Sequence, residues 1–174
     1  MHSRFPFARA RRRLAALVAG SGVFVAGCGY TLGAGAGLSS LHEGRPVLVG
    51  RVENQSSDPE AGPLLVRSLS RALPSRGGRA GGQPFVVDAT IESVRTIPVG
   101  FVGGQNVALW RVEVRLQVRL VDHDGDATVA RSSIVEAEEY RSGTDLEATE
   151  VSRRLALERV VTRAAENGLD RLAP

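Results

Sequence analysis

Arg111-Val112-Glu113-Val114-Arg115-Leu116-Gln117-Val118-Arg119-Leu120 is the stretch that decides the fold. Valine or leucine stands at every even position, and a charged or amide side chain at every odd one. Successive side chains of an extended chain point to opposite faces, so this period of two reads as a long strand with one dry face and one wet face. Working outward, Asp122-His123-Asp124-Gly125-Asp126 is hairpin-turn chemistry. Thr128 to Tyr140 returns as a further strand, its alternation weak around Ser132 and Ser133. Upstream, Phe85, Val87, Ala89 and Ile91 alternate with Val86, Asp88, Thr90 and Glu92, which predicts a strand over 85–97. Pro98 to Asn106 reads as a loop with apolar residues unusual for a loop, Val99, Phe101 and Val102, beside Gly103-Gly104. These either meet a partner or fold back and are buried.

Pro46 to Glu53 is the first strand, and its continuous Val47-Leu48-Val49 run suits burial on both faces, or nearly so. Asn54 to Pro59 is turn chemistry. A helix follows, either capped by Asp58 with Pro59 at its first position or starting at Gly62-Pro63, because proline fits only the first turn. Leu65, Leu69, Ala72 and Leu73 form its apolar stripe, and Pro74 with the Gly-rich run to Pro84 ends it. Asp145 to Leu172 reads as a long helix capped by Asp145 or Thr144, with Glu147 and Glu150 in the early turns. Its broad apolar face takes Val151, Leu155, Val161, Ala165, Gly168, Leu169 and Leu172, with Arg154 and Glu158 intruding at the edge. The order β-α-β-β-β-α predicts an α+β two-layer sandwich: a four-stranded mixed sheet with both helices on one face. That packing leaves the Arg111, Arg115 and Arg119 face uncovered by the chain itself.

The N-terminus has a different grammar. Arg4, Arg9, Arg11, Arg12 and Arg13 precede an apolar run, Leu14 to Val25, broken only by Gly20-Ser21-Gly22. Small residues then stand directly before Cys28, the single cysteine of the chain. Charged, apolar and small-residue regions in that order are a secretory leader, and the run falls short of the roughly 20 residues of a membrane span. Val25-Ala26-Gly27-Cys28 resembles the bacterial lipobox. The resemblance implies a diacylglycerol on the Cys28 thiol, cleavage before it, acylation of the freed amine and, with Gly29 next, passage to the outer membrane. The expected organisation is a signal peptide over 1–27, a lipidated N-terminus and tether over 28–45 (its Gly33, Gly35 and Gly37 alternating with alanine), and a folded domain over 46–174. The formal charge of +3 belongs to the leader: without its five arginines, 17 arginines face 19 acids, a net charge of −2. A global basic footprint for nucleic acid is therefore absent.

No catalytic set is legible. His2, His42 and His123 fall in the leader, the tether and a turn, and nothing nominates a nucleophile with its base. Asp122, Asp124 and Asp126 have the opening spacing of a calcium loop, but Ala127 stands at the sixth position, where the glycine belongs, with Gly125 two positions early, and Ser133 stands where the glutamate belongs. No cofactor is expected beyond the covalent lipid on Cys28. The arginine ladder at 111, 115 and 119 is the one feature that could carry binding. The plainer reading, which Glu113 and Gln117 among the arginines favour, is a solvated face with cross-strand ion pairs to Glu136 or Glu138.

Cys28-Gly29-Tyr30-Thr31-Leu32 at the start of the mature chain, the strand over 47–54 ending in an Asn turn, the leucine-spaced helix, the three strands and the long last helix resemble the LPS-assembly lipoprotein LptE family. The resemblance spans essentially the whole mature chain. It implies a non-enzymatic outer-membrane lipoprotein, on the periplasmic side or within a barrel lumen, that plugs an LptD-like β-barrel and helps deliver lipopolysaccharide to the outer leaflet. Arg111, Arg115, Arg119 and Phe101 are then candidate glycolipid or barrel contacts, arginine being suited to phosphate. The alternative is an activator of a periplasmic peptidoglycan synthase, similar to the LpoB lipoproteins. A tether of about 17 residues, at roughly 3.3 Å each, is short for that role.

Overall fold

The computed structural model describes residues 45–73, 83–103, 106–123 and 127–172. Its elements are β1 (Val47–Asn54), α1 (Ala61–Ala72), β2 (Phe85–Val102), β3 (Asn106–Asp122), β4 (Thr128–Arg141) and α2 (Leu146–Asp170). The sheet order is β1-β2-β3-β4, with β1 parallel to β2 and the other pairs antiparallel. Both helices cover one face: α1 lies against β1 and β2, and α2 against β3 and β4. The predicted α+β sandwich is the observed one. The leader, Cys28 and the tether up to residue 44 lie outside the described residues, as do 74–82 of the Gly-rich run.

The even residues of β3 supply the centre of the core. Val112, Val114, Leu116, Val118 and Leu120 are buried, facing Leu65 and Leu69 of α1 and Leu157, Val160, Val161 and Leu169 of α2 in one continuous apolar cluster. Gly168 lets α2 approach the sheet: a Cβ there would stand 2.8 Å from Val118 Cγ2. Asp145 caps α2, its Oδ1 accepting the Ala148 amide at 2.8 Å, which satisfies one of the orphan donors of the first turn.

Four expectations change. β1 is an edge strand with one face open, so Leu48 is 52 % exposed and only Val47 of its apolar run is buried. The region over 98–106 is not a plain loop: β2 and β3 continue through it as a two-stranded arm, with register irregularities around Gly100 and a turn at Gly103, φ 63°. Helix α1 begins at Ala61, with Pro63 in its first turn and Pro59 outside. On α2, Val151 and Leu155 are about half exposed, because the core is met by Ala156, Leu157, Val160, Val161, Ala164, Ala165, Gly168 and Leu169 instead.

The rim of the helix layer is tied by charge. Arg153 holds Asp58 at 2.7 Å and Glu150 at 2.7 Å, and Arg154 holds Glu60. Glu138 accepts from Arg163 at 2.7 Å and Arg159 at 3.0 Å. The Arg163 hydrogen bond holds the Glu138 carboxyl below its ordinary value of 4.5, and the Arg153 hydrogen bond does the same for Glu150. A carboxyl depressed on folding stabilises above its unfolded value and loses that contribution as pH falls through the folded one. Melting temperature is therefore expected to stay level from pH 7 to about 5 and to fall below 4.5, with a smaller fall in the Glu138→Gln, Glu150→Gln double variant. An equal fall in both proteins would show that other groups control acid unfolding.

Candidate functional site

The sheet face opposite the helices carries no covering element among the described residues, and its composition follows from β3. With the even side chains of β3 in the core, Arg111, Glu113, Arg115, Gln117 and Arg119 must face out. The register sets their neighbours. Arg111 stands opposite Ile97 and Glu139, Arg115 opposite Ser93 and Val135, and Arg119 opposite Asp88 and Arg131.

Three arginines thus have three different situations. Arg111 donates to Glu139 Oε1 through Nε at 3.2 Å and Nη2 at 2.6 Å. Arg119 Nη2 reaches Asp88 Oδ2 at 3.4 Å, while Asp88 Oδ1 accepts the Arg51 amide at 2.8 Å where β1 shifts register. Arg115 is exposed and makes no hydrogen bond or ion pair among the described residues. Its guanidinium thus keeps five donors without a protein partner among the described residues. The predicted cross-strand pairs to Glu136 or Glu138 do not form. Those carboxylates sit on the helix side, where Glu136 meets Asn167 at 2.7 Å and Arg163 at 3.2 Å, and Glu138 meets Arg159 and Arg163.

The same face collects arginines that the sequence pattern did not single out: Arg95 opposite Glu113, Arg131 opposite Arg119, and Arg141 opposite Leu109. Only the strand register reveals them. Exposed apolar side chains, Ile97 and Val135, lie among these arginines, so the face is mixed rather than purely polar. Phe101 is 59 % and Val102 63 % exposed near the end of the arm, where Phe101 pairs with Val107. Arg111 lies four residues along β3 from Val107, about 13 Å, and each step of the ladder adds about 13 Å more. The structure therefore brings Phe101 near the Arg111 end only, not to Arg115 or Arg119.

Asp122 is engaged by Arg45, Nη2 to Oδ1 at 3.0 Å, and Arg45 also stacks on Phe85 with 4.0 Å to the ring centroid. Asp124 and Asp126 lie outside the described residues. Among those described, no three His, Cys, Asp or Glu side chains gather as metal ligands, and no helix is long and apolar enough to cross a membrane.

The family model for LptE, lipopolysaccharide-assembly, matches residues 45–172, the whole of this folded domain. The chain belongs to the LptE family. Its fold is similar to that of a protein from Caulobacter crescentus, at 18 % identity and a TM-score of 0.51 over 70 % of this chain and 87 % of that one. The rare lipoprotein B from Shewanella oneidensis aligns at 17 % identity and a TM-score of 0.48, over 71 % of this chain and 94 % of that one. A minor lipoprotein from Acinetobacter baumannii aligns at 9 % and 0.47, over 74 % and 93 %. The first likeness shows a shared fold. No curated protein matches the chain. Membership of the LptE family makes this an LptE-like lipoprotein, associated with a membrane and with lipopolysaccharide assembly.

Proposed function

We propose that the mature chain is an outer-membrane lipoprotein, anchored through acyl chains on Cys28, that lodges in an LptD-like β-barrel, plugs it and assists delivery of lipopolysaccharide to the outer leaflet. It works without catalysis and without a cofactor beyond its covalent lipid. The match of the whole folded domain to the LptE family carries this reading. The geometry is compatible with it. A sheet covered on one side presents a broad polar face with an apolar admixture, suited to a water-lined lumen and to a glycolipid that carries both phosphates and acyl chains.

Arg115 is the residue on which direct glycolipid contact is best tested, because it is exposed and makes no ion pair among the described residues. Arg115→Glu is expected to weaken binding of purified lipopolysaccharide by on the order of tenfold or more, since a charge-assisted hydrogen bond is worth about 1.5–3 kcal/mol. Its melting temperature should stay within about a degree of the parent's, as surface substitutions away from special features usually change stability by no more than about 0.5 kcal/mol. Unchanged affinity would remove the ladder from the glycolipid path and leave it as a solvated face.

A further inference from the structure

Strand β4 ends the sheet: it pairs with β3 on one side and, among the described residues, with no strand on the other, and Arg163 of α2 donates to its Ala137 carbonyl at 3.0 Å. That edge contains no proline and no glycine, and past its one irregularity beside Leu120/Val121 it keeps an even register with β3. Natural edges are usually blunted, because a row of unpaired backbone donors and acceptors templates another strand.

The side chains point to the strand that fits. Arg131 faces Arg119 across the β3–β4 ladder, a like-charge pair that disfavours both. Arg119 has Asp88 in compensation, whereas Arg131 has no carboxylate among the described residues. Eight residues on, Glu139 takes both donors of Arg111 on Oε1, and its Oε2 makes no hydrogen bond among the described residues. Midway between Arg131 and Glu139 stands Val135, 49 % exposed.

We infer that the open edge of β4 is a homodimer interface, in which two copies pair their β4 strands antiparallel about a two-fold axis at Val135. In that register Arg131 of each copy opposes Glu139 of the other, so Oε2 receives a second guanidinium. Val135 meets its own counterpart, and Ser133 meets Ala137. Moving the axis to residue 136 sets Arg131 against Arg141 and Glu136 against itself. Moving it to residue 134 sets Arg131 against Ala137 and Glu139 against Val129, with no charge paired. Of these registers, only the one centred at Val135 is complementary, and it is isologous, so association closes at two. It also keeps both helix layers on one side of a continuous sheet. The pairing belongs to the chain free of any barrel and does not rest on the function proposed above.

The hydrophobic core is built from residues between Val47 and Leu172, so residues 29–174 suffice for the test. Sedimentation equilibrium is expected to show a dimer that weakens with salt. Val135→Lys should abolish it by placing like charges across the axis. Arg131→Glu and Glu139→Arg should each be monomeric alone, yet associate when mixed, because every cross-copy pair is then of opposite sign. All three positions are exposed, and circular dichroism checks that the variants remain folded. A wild-type chain that stays monomeric at low salt overturns the inference. So does a dimer indifferent to Val135→Lys, or a mixture of the two charge variants that fails to associate.

Discussion

Leu116→Ala is expected to cost the domain about 2–5 kcal/mol, the range for truncating a fully buried leucine. Leu116 has no exposed surface and lies mid-strand, between Ile91 of β2 and Ile134 of β4. Both strand neighbours are fixed by their ladders, and α2 is held close through Gly168, so little can collapse into the vacated volume. For a domain of this size a loss of 1 kcal/mol lowers the melting temperature by roughly 2–4 °C. The variant should therefore melt some 5–20 °C below the parent, while Arg115→Ala, one residue away on the opposite face, stays within a degree or two. Thermal unfolding followed by circular dichroism checks both. Equal effects at 115 and 116 would mean that the two faces of β3 are not differently covered.

Cys28→Ala is expected to remove the chain from the outer membrane without unfolding the domain. A single acyl chain gives only marginal membrane binding, and each further buried CH₂ adds about 0.8 kcal/mol, so losing all the chains that Cys28 carries should empty the outer-membrane fraction. The helices offer no substitute anchor, none among the described residues being long and apolar enough to span. Metabolic labelling with palmitate and membrane fractionation read the result. Label retained on Cys28→Ala, or undiminished outer-membrane attachment, would show that the anchor lies elsewhere.

The fold was legible where period and phase suffice. The alternation over 111–120 placed every core residue of β3, and Leu65, Leu69 and Ala72 of α1, with Leu73 at its C-cap, are buried as their spacing requires. Register was not legible. Val121 pairs with Thr128 but Leu120 with Ala130, so β4 carries one extra residue at Val129. A slip of one residue exchanges the two faces of a strand. That is why Glu139 rather than Glu138 meets Arg111, and why Arg131 joins the open face. The arm was hidden because Pro98 and Gly100 read as loop formers. A strand without a second neighbour tolerates proline, and register irregularities absorb the glycine. Val151 and Leu155 were assigned to the core because their helical spacing is right, but Leu155 shares a turn with buried Ala156 and Leu157, so the stripe through 151 and 155 is turned away from the core. Leu48 was misjudged because an apolar run looks alike on a central strand and on an edge strand with an open face.

The most direct measurement is affinity purification of the full-length chain, tagged at its C-terminus, from membranes dissolved in mild detergent. The account predicts that a large outer-membrane β-barrel co-purifies in one-to-one ratio, and that lipopolysaccharide is found with the pair. Recovery of the chain with no barrel, or with a peptidoglycan synthase in the barrel's place, would contradict it.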